Sequence, residues 1–101
     1  MDFKNQIINF INKIPKGRVV SYGQVAIACG KPRGAREVGR ILAQIDITKH
    51  KIPWWRVVNA KGEISIKGNW TASKELQAEL LKRDNVIVND FKVAKKYFWF
   101  S

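Results

Sequence analysis

The sequence predicts a mainly α-helical domain with a small β-hairpin, arranged as a winged helix-turn-helix. Three observations favour this class. Apolar residues recur at helical spacing near the start, a glycine turn separates a short helix from a basic one, and an extended apolar stretch precedes a turn and a returning strand. With 101 residues, of which 46% are hydrophobic, the chain is expected to form one compact domain over residues 1–101.

The first predicted helix covers residues 3–13, because its apolar side chains recur every three or four residues. Pro15 and Gly17 end this helix, and residues 18–20 then form a short extended piece. Ser21 follows at a position where its hydroxyl can accept hydrogen bonds from the free N–H groups of a new helix. A second helix is therefore expected to begin directly after it.

A helix-turn-helix pattern follows. The second helix starts at Tyr22 and ends at Gly30, which suits a left-handed turn, and Pro32 opens a third helix from about Arg33 to Gln44. The third helix has an apolar stripe, expected to face the core, that consists of Val38, Ile41, Leu42 and Ile45. A second stripe of the same helix is basic and consists of Arg33, Arg36 and Arg40. Because paired helices are common in small α domains, this pattern leaves DNA binding and a purely structural role both open.

The second half of the chain predicts the wing. An extended stretch over residues 52–58 and a returning strand over residues 63–66 flank a turn, which is the pattern of a β-hairpin. A last helix, capped by Thr71 or Ser73, runs to about Arg83. Its leucines, expected to point inward, are Leu76, Leu80 and Leu81. An aromatic tail is assigned to core packing and consists of Tyr97, Phe98, Trp99 and Phe100.

The charge of the chain predicts a polyanionic partner. The formal net charge is +11, and residues 1–58 carry 11 basic and 3 acidic groups, against 8 and 5 in residues 59–101. Between Lys13 and Arg40 the only acid is Glu37, against seven basic residues. Nucleic acid is the simplest partner for such a patch, and a basic surface with no partner is the alternative.

Composition also excludes several classes. One cysteine, Cys29, and one histidine, His50, provide neither a disulfide framework nor a familiar metal-ligand cluster, so no metal or cofactor is expected. No apolar run reaches membrane-spanning length, and residues 1–13 are too polar for a signal peptide. We therefore expect a soluble intracellular protein without a membrane partner, located in the cytoplasm or nucleoid, or in the nucleus of a eukaryote.

Three ordered motifs carry a resemblance to a known family. They read IPKGRVVSYGQVA at residues 14–26, AREVG at residues 35–39 and IPWWRVVN at residues 52–59. Together they resemble the C-terminal DNA-binding domain of the O6-alkylguanine-DNA alkyltransferases, and weaker similarity covers nearly the whole chain. The resemblance implies the winged helix-turn-helix fold of that domain.

One departure from the family pattern bears directly on activity. The enzymes carry Pro-Cys-His-Arg where this chain has Pro53, Trp54, Trp55 and Arg56. In the family, the cysteine accepts the alkyl group, and the histidine relays the proton of the cysteine thiol toward a carboxylate. Asp84 matches the residue that carries this carboxylate. An indole has no thiolate form, so alkyl capture at Trp54 is chemically excluded. Tryptophan at this position is typical of the non-enzymatic alkyltransferase-like proteins, although those usually keep the histidine.

The resemblance implies docking on the minor groove of duplex DNA and flipping of the damaged base. Arg36 matches the finger that replaces the extruded guanine, and Tyr22 matches the tyrosine that helps rotate the nucleotide outward. The small Ala35 and Gly39 would allow a close approach to the groove. The alternatives are that Arg36 is an ordinary surface residue and Tyr22 a half-buried aromatic. Phosphate contacts are expected from Lys13, Lys16, Lys31, Arg33 and Arg40.

The flipped base would enter a pocket for which the resemblance implies seven residues: Tyr22, Pro53, Trp54, Trp55, Arg56, Val57 and Lys67. Trp54 would form an aromatic wall, backbone groups near Trp54 and Val57 would bond the base edge, and Arg56 would support the pocket. Trp55 either lines the cavity or packs inward, and Lys67 either covers the base or lies in solvent.

The resemblance implies a non-enzymatic, monomeric damage sensor that binds O6-alkylguanine in duplex DNA, marks it for nucleotide excision repair and shields it from true alkyltransferases. Two alternatives belong to other classes. One is an enzyme that uses Cys29 as its alkyl acceptor. The other is a winged-helix regulator that reads sequence in the major groove without lesion specificity.

Overall fold

The computed structural model describes residues 2–45, 51–64 and 73–100. Its helices are α1 (Phe3–Ile11), α2 (Tyr22–Ala28), α3 (Ala35–Gln44) and α4 (Lys74–Arg83). Its strands are β1 (Val20–Ser21), β2 (Val57–Val58), β3 (Val88–Asn89) and β4 (Lys92–Val93). Two 3₁₀ turns cover Trp54–Arg56 and Lys95–Tyr97. This mainly helical architecture with small sheets confirms the predicted fold class.

The start of α2 is fixed by the predicted cap. The Ser21 hydroxyl accepts a hydrogen bond from the Gln24 N–H at 3.1 Å, and the Gln24 side chain accepts one from the Ser21 N–H at 2.9 Å. This reciprocal capping box satisfies two N–H groups that a helix start would otherwise leave unpaired. Gly30 ends the segment in the left-handed region, with φ of +85°. The sequence therefore predicted both ends of α2 correctly.

The third helix begins at Ala35, two residues later than predicted. The preceding residues form a turn in which the Gly34 N–H donates to the Lys31 carbonyl at 2.8 Å. A Cβ at Gly34 would crowd that same carbonyl, which explains a glycine at the N-cap. Val38 and Leu42 are buried as expected, so the apolar stripe of α3 faces the core.

The hairpin predicted over residues 52–66 is wrong in its strand pairing, although its predicted turn forms, with the Asn59 N–H donating to the Glu63 carbonyl at 3.0 Å. Strand β2 pairs in parallel with β1, in the register Val20 to Val57. The next residues turn back, but Glu63 bridges Lys92, and residues 65 and 66 lie outside the described part of the chain. Both residues of β2 are buried, which is typical of a strand enclosed on both faces and not of a half-exposed hairpin arm. Within the described residues, β3 and β4 form an antiparallel hairpin.

Ser73 caps the start of helix α4, because its hydroxyl accepts from the Leu76 N–H at 3.0 Å, while Thr71 lies outside the described residues. The prediction that Leu76 points inward is wrong, since this side chain is 38% exposed. Gln77 takes the inward position, fully buried. Leu81 is buried and Leu80 half-buried, as expected.

The C-terminal tail, residues 94–100, lies beside residue 19. The Val19 N–H donates to the Tyr97 carbonyl and the Trp99 N–H donates to the Val19 carbonyl, both at 2.9 Å. Trp99 stacks on Phe10 of α1 with ring centroids 5.9 Å apart. The tail therefore packs on the core as predicted, except that the Phe100 side chain is 44% exposed. Within the described ranges, no helix is both long enough and apolar enough to cross a bilayer.

Candidate nucleic-acid interface

The outer face of α3 is basic. Arg36 and Arg40 are exposed on this helix, and Arg33 is exposed in the turn before it, whereas Val38 and Leu42 of the same helix are buried. Burial of one stripe fixes the rotation of the helix and presents the other stripe to solvent. The three arginines thus lie where the sequence pattern predicted a basic face, available to a polyanion.

Tyr22 lies at the border of this face. A Cβ at Gly39 would stand 3.9 Å from Cδ1 of Tyr22, so the half-buried tyrosine ring packs over the glycine of α3. Ala35, one helical turn earlier, is also half-buried. Gly39 therefore faces the start of α2, and it lets Tyr22 lie close to the arginine-bearing helix.

The turn before α3 is anchored to α1. The Lys31 ammonium lies 4.5 Å from the centroid of the Phe3 ring and 3.2 Å from a carboxylate oxygen of Glu37. These contacts hold the turn and partly neutralise the single acid of the basic segment. Lys31 remains half exposed, so its ammonium is still accessible to a phosphate.

Residues 53–57 match the family's acceptor site and are called here the acceptor segment. Residues 53–56 of this segment line a cleft of about 450 Å³. The described residues that line it are Asn12, Lys51, Ile52, Pro53, Trp54, Trp55 and Arg56. Trp54 is 6% exposed and belongs to the hydrophobic core, so only a small part of its ring borders the cleft. Tyr22 and Val57 do not line this cleft, and Lys67 lies outside the described residues.

Trp55 both lines the cleft and bonds inward. Its indole Nε1–H donates to Oδ2 of Asp84 at 2.9 Å, and its ring meets Trp54 edge to face with centroids 6.0 Å apart. The two orientations left open by the sequence are therefore both realised by one side chain. An indole N–H donates but accepts no proton, so this contact orients Asp84 without relaying a proton.

Arg56 ties the acceptor segment to Asp84 and to the Ile14 carbonyl. Its Nε donates to Oδ2 of Asp84 at 2.7 Å, its Nη2 donates to Oδ1 at 3.2 Å, and its Nη1 donates to the Ile14 carbonyl at 2.9 Å. Burial by itself raises the pKa of Asp84, but the hydrogen bonds from Arg56 and Trp55 outweigh it and leave that pKa below its usual value. Asp84 is therefore a fixed anion that ties the end of α4 to the 3₁₀ turn.

Gln77 is a buried polar residue of this region that the sequence analysis missed. Its Nε2 donates to the carbonyls of Trp55 at 3.1 Å and Val57 at 2.9 Å, so α4 also holds the backbone of the acceptor segment. A glutamine in an amphipathic helix usually faces solvent. Because the hydrogen-bond partners of Gln77 are backbone carbonyls, which every residue has, no residue type in the sequence indicates the pairing.

Cys29 lies at the C-terminal end of α2 and borders a different cleft, shared with Phe10 and Lys13 of the α1 region. Burial raises the pKa of its thiol, which lowers the thiolate fraction at neutral pH. In the described parts of the chain, no three His, Cys, Asp or Glu side chains gather to hold a metal ion.

The fold and this basic, cleft-bearing surface define a DNA-binding domain of the alkyltransferase type. The family model of the 6-O-methylguanine DNA methyltransferase DNA-binding domain matches residues 2–86, so the chain belongs to this family of DNA-repair proteins.

Individual relatives narrow the assignment. A DNA base-flipping protein of Vibrio parahaemolyticus is 38% identical over 96% of this chain and 95% of its own length. Alkyltransferase-like protein 1 of Schizosaccharomyces pombe is 33% identical over 84% of this chain and 77% of its own length. The crystal structure of S. pombe Atl1 in complex with damaged DNA containing O6-carboxymethylguanine has a TM-score of 0.86 and 30% identity, over 98% of this chain and 95% of that one. The chain is thus an alkyltransferase-like protein. Methyltransferase enzymes also occur among its relatives.

Proposed function

We propose that this protein binds duplex DNA, extrudes an O6-alkylguanine from the base stack and holds it beside the Trp54 segment without removing the alkyl group. The observation that carries the proposal is the absence of a thiol where the family's chemistry requires one. The chain has a single cysteine, and that cysteine borders a cleft that shares no residue with the Trp54 cleft. An alkyl group held at Trp54 therefore has no acceptor within reach.

DNA binding is supported by the exposed basic face of α3. Arg36 projects from this face, and its flat guanidinium has the shape and donors to fill the gap left by an extruded guanine. Tyr22, packed over Gly39, stands next to this helix and is proposed to crowd the phosphate of the target nucleotide. Ala35 is proposed to keep the side-chain volume between the helix and the minor groove small, whereas Gly39 makes room for the Tyr22 ring beside the helix.

Lesion recognition is assigned to the Trp54 segment. An O6-alkyl group is apolar and weakens pairing with cytosine, so both aromatic contact and easier extrusion favour the damaged base. The proposed pocket consists of Pro53, Trp54 and Trp55, which line the cleft, whereas Tyr22 and Val57 lie outside its lining. Arg56 supports it through Asp84. Lys67 is proposed to cover the bound base.

The test of binding is a titration of matched duplexes with and without O6-methylguanine, followed by fluorescence anisotropy at two salt concentrations. We expect at least about tenfold tighter binding of the damaged duplex, and affinity for both duplexes that falls steeply with salt. Equal affinity for the two duplexes would contradict the proposal and favour a sequence-reading regulator.

The test of catalysis is a single-turnover assay with a radiolabelled methyl group on O6 of guanine. We expect no label on the protein after prolonged incubation, with an active alkyltransferase as the positive control. Label on Cys29, located by peptide mapping, would show that the protein is an enzyme with an alternative acceptor.

A complex that performs no chemistry is useful only when another system acts on it. We propose that the nucleotide excision repair machinery recognises the bound complex in the cell's DNA compartment, and that the protein acts as a monomer. In a reconstituted incision assay, addition of the protein should increase incision beside O6-alkylguanine and slow repair by an added alkyltransferase. Unchanged incision would contradict the excision repair step, and light scattering of the free protein tests the monomer.

A further inference from the structure

We propose that the C-terminal tail forms a second DNA contact. It binds the sugar–phosphate backbone of the strand that carries the extruded nucleotide, at a point beyond the phosphate proposed to lie at Tyr22. The site is a cleft of about 390 Å³, called here the tail cleft, lined by Ser21, Gln24, Ala60, Lys95, Phe98 and Phe100. The family model ends at residue 86, so the three tail residues lie beyond the part of the chain that the model matches.

The tail cleft is ordered by hydrogen bonds that fix the tail to the start of α2. Gln24 Nε2 donates to the Phe100 carbonyl at 3.0 Å, and the side-chain oxygen of the same glutamine accepts from the Ser21 N–H. The Trp99 N–H donates to the Val19 carbonyl, and the Trp99 and Phe100 rings lie 4.7 Å apart. A site built on such contacts needs little ordering when a ligand binds.

The position of the tail cleft relates it to the proposed DNA face. Ser21 and Gln24 line the cleft on one side of the first turn of α2, and the Tyr22 ring packs on Gly39 of α3 on another side. The first turn of α2 therefore lies between the tail cleft and the basic helix. A strand whose phosphate lay at Tyr22 would continue past this turn toward the tail cleft.

The lining of the tail cleft matches a deoxyribose-phosphate unit. Phe98 is half-buried and Phe100 is 44% exposed, and together they offer an apolar surface for a sugar ring. Lys95 supplies the cation for a phosphate, whereas its neighbour Lys96 lies 5.2 Å from the Tyr97 ring centroid. None of the six lining residues is acidic, so nothing in the lining repels a phosphate.

The test compares two cleft variants with matched controls. Lys95→Gln is paired with Lys82→Gln, an exposed lysine of α4, and Phe100→Ala is paired with Phe91→Ala, which is 42% exposed in the β3–β4 turn. Each protein is titrated on a long duplex with a central lesion and on a short duplex that ends close to the lesion on both sides. Circular dichroism and thermal melting verify that each variant is folded.

We expect Lys95→Gln to reduce the slope of log affinity against log salt by about 0.9 on the long duplex, as the loss of one phosphate contact requires. Phe100→Ala should weaken binding of the long duplex about fivefold. Neither change should appear on the short duplex or in the control variants, and the preference for the lesion should stay that of the unmodified protein.

Three results would overturn the tail contact: an unchanged salt slope for Lys95→Gln, an equal effect of Phe100→Ala and Phe91→Ala, or equal losses on long and short duplexes. The inference rests on the proposed DNA binding but not on lesion preference. If the unmodified protein binds damaged and undamaged duplexes equally, the proposed function fails, and the same slopes measured on undamaged DNA still decide the tail contact.

Discussion

Asp84→Asn is expected to destabilise the protein strongly, because the Asp84 carboxylate accepts hydrogen bonds from both Trp55 and Arg56. Its side chain is 7% exposed and accepts from Nε and Nη2 of Arg56 and from Nε1 of Trp55. Asparagine keeps one acceptor oxygen but loses the negative charge. Its NH₂ group would face N–H donors of Arg56 or Trp55, with which it cannot form a hydrogen bond. Arg56, whose side chain is 14% exposed, then retains its bond to the Ile14 carbonyl but lacks a counterion.

The size of the loss follows from that geometry. Breaking a buried ion pair costs about 3–5 kcal/mol, and the partial exposure of Arg56 and the retained oxygen place this variant near 3 kcal/mol. For a domain of this length, that corresponds to a fall in Tm of roughly 12–24 °C. Near-UV circular dichroism melts at pH 7 measure it. The control is Glu79→Gln, which breaks the exposed pair with Arg83 and should melt with the unmodified protein.

The same comparison has a defined pH dependence. The folded-state pKa of Asp84 is lowered, since the hydrogen bonds from Arg56 and Trp55 outweigh burial. A lowered carboxyl pKa contributes stability that is fully present above about pH 4 and is lost as the pH falls through the folded-state pKa. The difference between Asp84→Asn and the unmodified protein should therefore be constant from pH 8 to 5 and shrink below pH 4. A Tm within about 3 °C of the unmodified protein at pH 7 would refute the assignment of Asp84 as a structural anion.

Four further predictions test the interface and the backbone. Arg36→Ala should weaken binding to the damaged duplex at least about tenfold without changing Tm, because Arg36 is exposed; unchanged affinity in anisotropy titrations would remove the finger role. Trp54→Ala should reduce lesion preference more than affinity for undamaged DNA. Since Trp54 is 6% exposed, the change also costs about 3–5 kcal/mol, so affinities are compared at low temperature on protein verified as folded, and an intact preference would count against the pocket. Trp54→Cys should transfer no methyl group, because Trp55 offers no base, whereas Trp54→Cys combined with Trp55→His should transfer; labelled protein from the single variant would show the reasoning wrong. Gly62→Ala should abolish soluble folded protein, because its Cβ would overlap the Val93 carbonyl at a φ of +83°, whereas Gly30→Ala, at +85° with open space, should cost only about 1–2 kcal/mol; similar melts for the two variants would contradict this.

Local signals in the sequence predicted the elements that local contacts build. The cap at Ser21 and the stop at Gly30 define α2 because both act within a few residues of the helix ends. Strand β2 was assigned to the wrong partner because its register depends on Val20, 37 positions away by the numbering of the pair. No local sequence signal near residues 57 and 58 indicates that β1 is the partner strand.

The rotation of α4 shows a second limit. Leucine spacing predicted Leu76 inward, but Gln77 occupies the buried position because two carbonyls of the acceptor segment accept from its amide. The buried Nε2 group keeps two hydrogen bonds, although Oε1 of the same amide finds no partner among the described residues, and an exposed leucine loses comparatively little. Polar pairing across elements therefore decided the buried face, and such pairing is invisible to hydrophobic periodicity.

Trp55 connects the loss of chemistry with the retention of the site. A relay residue between an acceptor thiol and Asp84 must both accept and donate a proton, and imidazole has a nitrogen for each task. Indole keeps only the donor, and in this protein that donor bonds Asp84 at 2.9 Å. The bond still orients the carboxylate and, through Arg56, the turn that carries Trp54. Under the proposed function, tryptophan at both positions leaves no nucleophile and no base while the scaffold stays in place, which is the combination that a protein needs if it is to hold a damaged base and not repair it.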